Sequence, residues 1–488
     1  MDLIPFIGRR RELDSLLQLQ HKRVPSLVVI KGRRRIGKSR LVQEFANQFT
    51  KKTGSKNKFY SFSGLPAGAD TTAQSQRDEF TRQMSEQLDI PPLKLSDWGD
   101  IFTFLAKQTR TERIIILLDE ISWMGSKDPN FLGKLKIAWD LHFQNNPHLI
   151  LILCGSISSW IEKNILKSTG FFGRISLTLS LKELSITESH QFLRTLKIKG
   201  SIFEEFMILS ITGGIPWYLQ LFNPGRSISE NIKNLCFTPD GILVSEFSYI
   251  FHDLFDRRAE VCKKIIESLA EGPLSYTEVS DKIKYASGGP LSDYLDDLMT
   301  AGFISHHFTW NLRTGKASSL SQYRLSDHYL RFYLKYIFPH MDKIQRGQYQ
   351  DISLSSLTGL ETLMGYQFEN LVLRNRHLIF KKLGIYPEEI VTDNPFFQRK
   401  TKDQDGCQID YLIQTKYGTL FVCEIKFSKN KIGSRIIDEV QQKIGRLKKP
   451  KEFSCRTVLI HVNGMEDALI DSEFIDYSID FSEYLNDE

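Results

Sequence analysis

The stretch Ser26-Leu-Val-Val-Ile-Lys31-Gly32-Arg33-Arg34-Arg35-Ile36-Gly37-Lys38-Ser39 decides how the first third of this 488-residue chain folds. Its opening run is short and apolar, the pattern of a buried strand. The eight residues from Gly32 to Ser39 match G-x-x-x-x-G-K-[ST] in full. Leu41, Val42, Phe45 and Phe49 then recur at helical spacing, so a helix is expected over Ser39–Phe49. Strand, glycine loop and helix in that order make a phosphate cradle. Gly32 and Gly37 let backbone N–H groups turn inward onto phosphate oxygens, and the helix N-terminus adds its partial positive charge. Lys38 is placed to reach the β- and γ-phosphates of ATP, and the Ser39 hydroxyl to ligate Mg²⁺.

Downstream, Arg113-Ile-Ile-Ile-Leu-Leu-Asp119-Glu120 runs five apolar residues into two acids. A strand buried on both faces of a parallel sheet reads this way, and such sheets place ligand chemistry at the carboxyl ends of their strands. Asp119 fits the Mg²⁺ shell and Glu120 the general base that polarises the attacking water. A third buried run, His148–Cys154, ends in Gly155-Ser156, where a small polar residue can sense the γ-phosphate. Gly173-Arg174 precedes the run Ile175–Leu181. Arg174 reads either as a nucleotide contact, across a subunit interface of a homo-oligomer, or as a surface cation. Gly213-Gly214-Ile215-Pro216 breaks a helical region, since proline stops one helix and can open the next.

Gly8-Arg9-Arg10-Arg11-Glu12-Leu13, the two Walker motifs, Gly173-Arg174 and Gly213-Gly214-Ile215-Pro216 together resemble the archaeal-type ATPases over roughly residues 3–250. These are AAA+/STAND-like P-loop proteins, also found in bacteria. The resemblance implies that Gly8 and Arg9 lie near the adenine, that Ser156 is sensor 1, and that Pro216 belongs to a helical lid over the nucleotide. A P-loop kinase fits less well, because Glu120 directly after Asp119 suits water activation and no phosphoacceptor site is evident.

Residues 257–340 change character. A helical run over Arg258–Glu271 ends at Gly272-Pro273, Ser275-Tyr-Thr-Glu278 caps a second helix, and Gly289-Pro290 opens a third that Gly302 closes. Two strand-like runs, Phe303–Trp310 and Leu320–Leu325, flank the turn Arg313-Thr-Gly315-Lys316. Three helices and a hairpin describe a winged helix, which relatives of the ATPases often carry next. Its third helix bears Asp293, Asp296 and Asp297 and no Lys or Arg, so it would repel phosphates in a DNA groove. A protein partner or packing is favoured for it over readout of a DNA groove. The turn, with Arg313 and Lys316, is a candidate phosphate contact.

In the last third, Gln408–Ile413 and Thr419–Phe427 read as strands joined at Tyr417-Gly418. A three-residue loop with Gly418 left-handed sets Asp410 opposite Glu424, and strand alternation puts Glu424 and Lys426 on one face. Two carboxylates suit Mg²⁺, and a lysine can orient a water for attack on phosphate. The helical run around Gly365–Val372 offers Glu369 as a further metal contact, and Ile436–Leu447 reads as a basic helix carrying Gln441, Lys443 and Arg446. This resembles the PD-(D/E)xK nuclease core over about residues 360–462, although Ile409 stands where the motif's name has proline. Retained cleavage and an inactive, nuclease-like domain both remain open.

Charge at that end fits either a polyanion partner or a solvated face. The chain is +6 overall, but residues 396–456 hold 14 Lys or Arg against 7 Asp or Glu, and residues 466–488 hold nine acids and no base. The acidic end also carries Phe474, Ile475, Tyr477, Ile479, Phe481 and Tyr484, so part of it is expected to pack. No run approaches the ~20 apolar residues of a membrane helix, and Met1–Pro5 carries no signal-like apolar segment. Six scattered cysteines without a Cys-x-x-Cys pair fit a reducing cytoplasm.

The expected fold class is thus α/β. A P-loop parallel sheet (1–179) with a helical lid (180–250) precedes an α+β winged helix (251–345) and an α/β PD-(D/E)xK-like domain (346–488). The expected function is an ATP- and Mg²⁺-dependent AAA+-type hydrolase coupled to a DNA-associated nuclease-like domain. The alternative is an ATP-dependent switch whose third domain is inactive and binds a protein. The candidate catalytic residues are Lys38, Glu120, Asp410, Glu424 and Lys426.

Overall fold

Those four apolar runs and a fifth strand, not identified from the sequence, form one sheet: β1 (Ser26–Lys31), β2 (Asn57–Ser63, the added one), β3 (Arg113–Asp119), β4 (Leu149–Gly155) and β5 (Ile175–Ser180). They lie in the order β2-β3-β4-β1-β5, every pairing parallel. The computed structural model describes residues 4–51, 57–66, 68, 70–255, 258–402 and 404–485, with backbone alone over 252–255. Residues 1–3, read above for a leader, and 486–488 of the acidic end lie outside them. The chain divides into two compact units, Met1–Glu183 and Leu184–Glu488.

In the first unit β4 is buried along its whole length and β3 from Ile114 to Leu118. Parallel neighbours must be joined by crossovers, and the helices of those crossovers cover both faces. The helix Lys38–Lys51 turns Leu41, Val42, Phe45, Ala46 and Phe49 inward, as its spacing predicts. The helices Ala73–Leu88, Trp98–Gln108 and Phe131–Leu141 were not identified from the sequence. They enclose a ring cluster in which Phe62 stacks on Phe80 at 4.5 Å and Trp98 meets Phe131 edge-on at 4.9 Å. Such pairs add about 1 kcal/mol each beyond the area they bury. The connection after β1 runs to the far edge strand β2, and those after β2, β3 and β4 run back the other way, so the direction of winding reverses beside β1. A crevice therefore opens at the carboxyl ends of the strands. Lys31 lies opposite Gly155 and Ser63 opposite Asp119, so the loops after β1, β3 and β4 open along one edge.

The second unit begins with helices whose starts are written locally. Ser185/Glu188, Ser201/Glu204, Ser227/Glu230 and Ser275/Glu278 each form a reciprocal capping box. Each Ser cap contributes about 1 kcal/mol by satisfying an orphan backbone donor. The helix Ile202–Thr212 ends at a left-handed Gly213, and Pro216 opens the short helix Pro216–Leu219. The helices Ala259–Ser268, Tyr276–Ile283 and Gly289–Thr300 follow, then the antiparallel pair β6 (Ile304–Trp310) and β7 (Ala317–Leu325). Next come the helix Leu360–Arg374 and a mixed sheet of β8 (Ile390–Gln398), β9 (Cys407–Thr415), β10 (Thr419–Ile425), β11 (Ser454–His461) and β12 (Tyr477–Asp480). Its order is β12-β11-β10-β9-β8. β8, β9 and β10 are antiparallel, and the helix Arg435–Arg446 crosses over between the parallel β10 and β11. The acidic end packs as expected: Ile479 and Phe481 are buried, and β12 adds to the sheet edge.

One feature departs from the expected separation of hairpin and C-terminal domain. Trp310 and Leu312 share a hydrophobic core with Phe396, Ile409, Leu412 and Val422. Trp310 Nε1 donates to Gln414 Oε1 at 2.6 Å, and Gln414 Nε2 donates to the Leu312 carbonyl at 2.9 Å. Gly315 is left-handed, and a Cβ there would lie 2.6 Å from Val391 of β8. The hairpin is therefore seated on the sheet rather than projecting from it.

The same junction carries a buried histidine. His307 Nδ1 lies 2.9 Å from Asn394 Oδ1, and Nε2 lies 2.7 Å from Ser305 Oγ. Burial, helped by the Arg324 and Arg376 charges, pushes its pKa down to about 4. Its folded pKa lies below the unfolded value of about 6.5, so its contribution is complete above that value. That contribution is lost as pH falls from about 6.5 toward 4, reaching about 3 kcal/mol. Thermal melts of the full chain should show the second unit losing stability over that window. His307→Gln should flatten the slope; an unchanged slope would place the acid sensitivity elsewhere.

Candidate functional site

Two clusters of functional side chains form, one in each unit. In the first, β1 delivers Gly32 to a point where a Cβ would lie 2.6 Å from the Leu181 carbonyl oxygen, so only glycine fits. Lys38 is buried, and its Nζ donates to the carbonyls of Gly32 (2.9 Å) and Arg33 (3.0 Å). An ammonium folded onto its own loop is a cation held where anionic oxygens can replace two carbonyls. Ser39 Oγ donates to Asp119 Oδ2 at 2.6 Å, which closes the ends of β1 and β3 on each other. A hydroxyl and a carboxylate so close are hard oxygen donors of the kind Mg²⁺ takes, so the residues present fit the ion.

Glu120 follows with a left-handed backbone, φ 51°. Its Oε2 accepts from the Ser156 backbone N–H (3.1 Å) and from Ser156 Oγ (2.8 Å). Ser156, at the end of β4, thus fixes the carboxylate next in sequence to Asp119. Gly8 and Arg9 are both left-handed, and this turn carries the buried Arg9 guanidinium to the loop. Its Nη2 donates to the Ile36 carbonyl (2.8 Å) and the Lys182 carbonyl (2.7 Å). Arg9 therefore braces the phosphate loop from behind. Arg174 forms a forked pair with Asp140, Nε to Oδ1 at 2.7 Å and Nη2 to Oδ2 at 2.9 Å. With Lys136 beside it, that pair holds the Asp140 pKa down to about 2. Arg174 would have to leave Asp140 before reaching a nucleotide on another subunit. Pro216 lies in the second unit, at the first turn of its helix.

The second cluster sits on the C-terminal sheet. Leu420 pairs with Gln414 and Cys423 with Tyr411, and Gly418 is left-handed. This is the register the three-residue loop predicts, and the Asp410 carboxylate accepts from the Ile425 N–H at 3.0 Å. Glu424 is 1% exposed. Its Oε1 meets Lys426 Nζ at 3.0 Å and its Oε2 meets Lys443 Nζ at 2.6 Å. Lys443 also lies 3.5 Å from Asp410 Oδ1, and Lys426 2.9 Å from Glu439. Burial pushes both carboxyl groups above their ordinary range; the Asp410 charge adds to it at Glu424 and the Glu369 charge at Asp410, while Lys443 opposes both shifts. Burial pulls Lys426 down, but Glu424 and Glu439 outweigh it and the ammonium is held raised.

Glu369 pairs with Arg324 at 2.7 Å, and its charge is felt at Asp410. Among the described residues no group of three or more His, Cys, Asp or Glu side chains gathers in an arrangement that could hold a metal. The donors present are the buried Glu424 carboxylate and the half-buried Asp410 carboxylate, with an ammonium between them. The cation position between them is held by the Lys443 ammonium, which a divalent ion would have to displace.

Lys443 was read only as part of a basic helix. The signal that marks it is spacing: Ile436 and Val440 are the buried positions of its helix, and 443 continues that stripe. A lysine on an inward stripe needs an acidic partner, and Glu424 supplies it.

Residues 6–222 match the family model described as an ATPase domain predominantly from Archaea. The chain is 26% identical over 345 residues to an uncharacterized protein of Methanocaldococcus jannaschii, covering 70% of this chain and 71% of that one. Among solved structures it is similar to a Walker-type ATPase of Pyrococcus abyssi, at 17% identity and a TM-score of 0.48, over 67% of this chain and 96% of that one. It is similar also to the ORC2 protein of Aeropyrum pernix, at 14% identity and a TM-score of 0.43, over 71% and 96%. No helix among the described residues is long and apolar enough to cross a membrane. Residues 6–222 are an ATPase domain of the archaeal type.

Proposed function

We propose that this chain hydrolyses ATP in its first unit and uses the nucleotide state to control a nuclease-like, DNA-associated module in residues 346–488. The observation that carries the reading is the convergence of Asp410, Glu424 and Lys426 on one buried patch of sheet, in a chain whose P-loop already holds Ser39 against Asp119. The helix Leu360–Arg374 that carries Glu369, the β9–β10 hairpin and the helix Arg435–Arg446 come in the order on which the PD-(D/E)xK resemblance rests. Residues 180–250 are read as the lid, with Pro216 in it, and 251–345 as the winged helix that joins the parts.

At the P-loop, Gly32, Gly37 and Lys38 bind the phosphates, Ser39 and Asp119 hold Mg²⁺, and Gly8 and Arg9 set the loop beside the adenine. Bound Mg²⁺ supplies charge neutralisation for the departing phosphate. Glu120, fixed by Ser156, takes the proton of the attacking water. In the C-terminal module Asp410 and Glu424, with Glu369 behind them, would hold a divalent ion. Lys426 orients the water aimed at a phosphodiester.

A second reading draws on Lys443. Its ammonium lies between the two carboxylates, as it would in a module that keeps the fold, does no cleavage, and signals to a protein partner through the acidic helix Gly289–Thr300. Cleavage of plasmid and single-stranded DNA by the purified chain with Mg²⁺ or Mn²⁺ separates the two. Cleavage supports the nuclease reading; none, with ATP hydrolysis intact, leaves the switch.

A further inference from the structure

The seating of the hairpin on the C-terminal sheet creates a groove of about 610 Å³. Trp310, Leu312, Phe396 and Phe397 form its floor. Its walls carry Arg313 from the hairpin turn, Arg399 from the end of β8, and Lys448 and Lys449 from the segment leaving the helix Arg435–Arg446. No carboxylate lines it among the described residues. Arg313, Arg399 and Lys448 are exposed, while Lys449 Nζ donates to the Phe453 carbonyl at 2.7 Å.

The walls are fixed before any ligand arrives. Asn311 Oδ1 accepts from the backbone N–H groups of Arg313 (2.9 Å) and Thr314 (3.1 Å), which holds the turn. Gln398 Nε2 donates to the carbonyls of Asp405 (2.7 Å) and Arg446 (2.5 Å), and its Oε1 accepts from the Lys448 N–H (3.2 Å). One side chain thus ties the Arg399 strand end to the Lys448 segment. The groove also borders the carboxylate cluster. Lys443 lies on the last turn of the helix whose exit carries Lys448, and Cys407 Sγ lies 3.2 Å from the Lys443 carbonyl, three residues before Asp410 on β9.

We propose that this groove binds the sugar–phosphate backbone of a nucleic-acid strand and leads it to Asp410 and Glu424. The proposal rests on the nuclease-like reading of that pair and adds where the strand enters. Four cations without an acid over an apolar floor call for a polyanion. A phosphodiester is the polyanion on which the pair at the groove's end would act, whereas an acidic peptide offers that chemistry no phosphate. The composite site also explains why the acidic helix Gly289–Thr300 is no obstacle: the hairpin turn and the sheet, not that helix, face the strand.

The test is fluorescence anisotropy of a labelled single strand, and of the duplex of the same sequence, with the full chain in EDTA over a salt series. Arg313→Glu and Lys448→Glu should each weaken binding at least about 10-fold and reduce the salt slope by about one. Lys22→Glu, in the first unit, should change neither, and ATP hydrolysis should be unaltered in all three. Binding equal to wild type in both groove variants, no binding at low salt, or displacement by poly-glutamate at equal charge would each overturn the groove. Plasmid cleavage by the wild type with Mn²⁺ is read separately. Cleavage with binding indifferent to Arg313 and Lys448 sinks the groove and leaves the nuclease. Binding that depends on them without cleavage keeps the groove and sinks the nuclease.

Discussion

Glu120→Gln is expected to bind ATP as tightly as the wild type and to hydrolyse it at least about 10²-fold more slowly. Lys38→Ala is expected to lose both. The difference follows from geometry. Glu120 Oε2 accepts two hydrogen bonds from Ser156, and a glutamine keeps an oxygen for both. The left-handed turn and the Ser39–Asp119 contact survive, and only the proton acceptor is removed. Lys38 is a buried cation whose resting partners are two carbonyls of its own loop. Its removal takes away the charge that holds the phosphates and leaves those carbonyls facing each other. Phosphate release and fluorescent-nucleotide binding, measured side by side, give both numbers. A Glu120→Gln protein hydrolysing at the wild-type rate would mean that another group takes the proton.

Lys426→Ala is expected to reduce DNA cleavage by about 10²–10³-fold, the effect of deleting one preorganised charge at a reacting phosphate. The fold should tolerate it, because Lys426 is partly exposed and Glu439, one of its two partners, is exposed. Glu424 is different. Alanine there would leave the Lys443 ammonium half-buried with Asp410 alone at 3.5 Å, and breaking a buried pair costs about 3–5 kcal/mol. Glu424→Gln is therefore the informative partner variant, since it removes the charge and keeps an oxygen for Lys443. Plasmid nicking with Mn²⁺, beside melting curves for each variant, separates lost chemistry from lost fold. Equal cleavage by wild type and Lys426→Ala would move the active site away from this hairpin.

Legibility in the sequence tracked how local the determinant was. The P-loop, the Asp119-Glu120 strand end and the Asp410/Glu424 register each lie within one turn or one hairpin, where glycine conformations and strand alternation fix the geometry. The same holds for the Ser275–Glu278 cap and the Pro216 helix start. Contacts made across elements were not legible. Arg9 bracing Ile36, Gln414 bridging to Trp310, and Lys443 meeting Glu424 depend on which faces pack, and periodicity identifies a face without naming its neighbour. The helices Ala73–Leu88 and Trp98–Gln108 carry local signals, a Thr72 cap and an Asp97 cap, that went unread, while the Phe62–Phe80–Trp98 cluster that seats them joins separate elements. The seating of the hairpin of residues 304–325 on the sheet was not legible for the same reason: the core shared by Trp310 and Phe396 joins positions 86 apart.

Cleavage of plasmid DNA by the full chain with ATP, with ADP and with neither, in the wild type and in Lys38→Ala, bears most directly on the claim that one unit governs the other. The account predicts that wild-type cleavage depends on the nucleotide supplied, and that Lys38→Ala cleaves at one rate whatever is added. Wild-type cleavage indifferent to nucleotide, at the Lys38→Ala rate, would contradict it and leave two activities sharing a chain without control of one by the other.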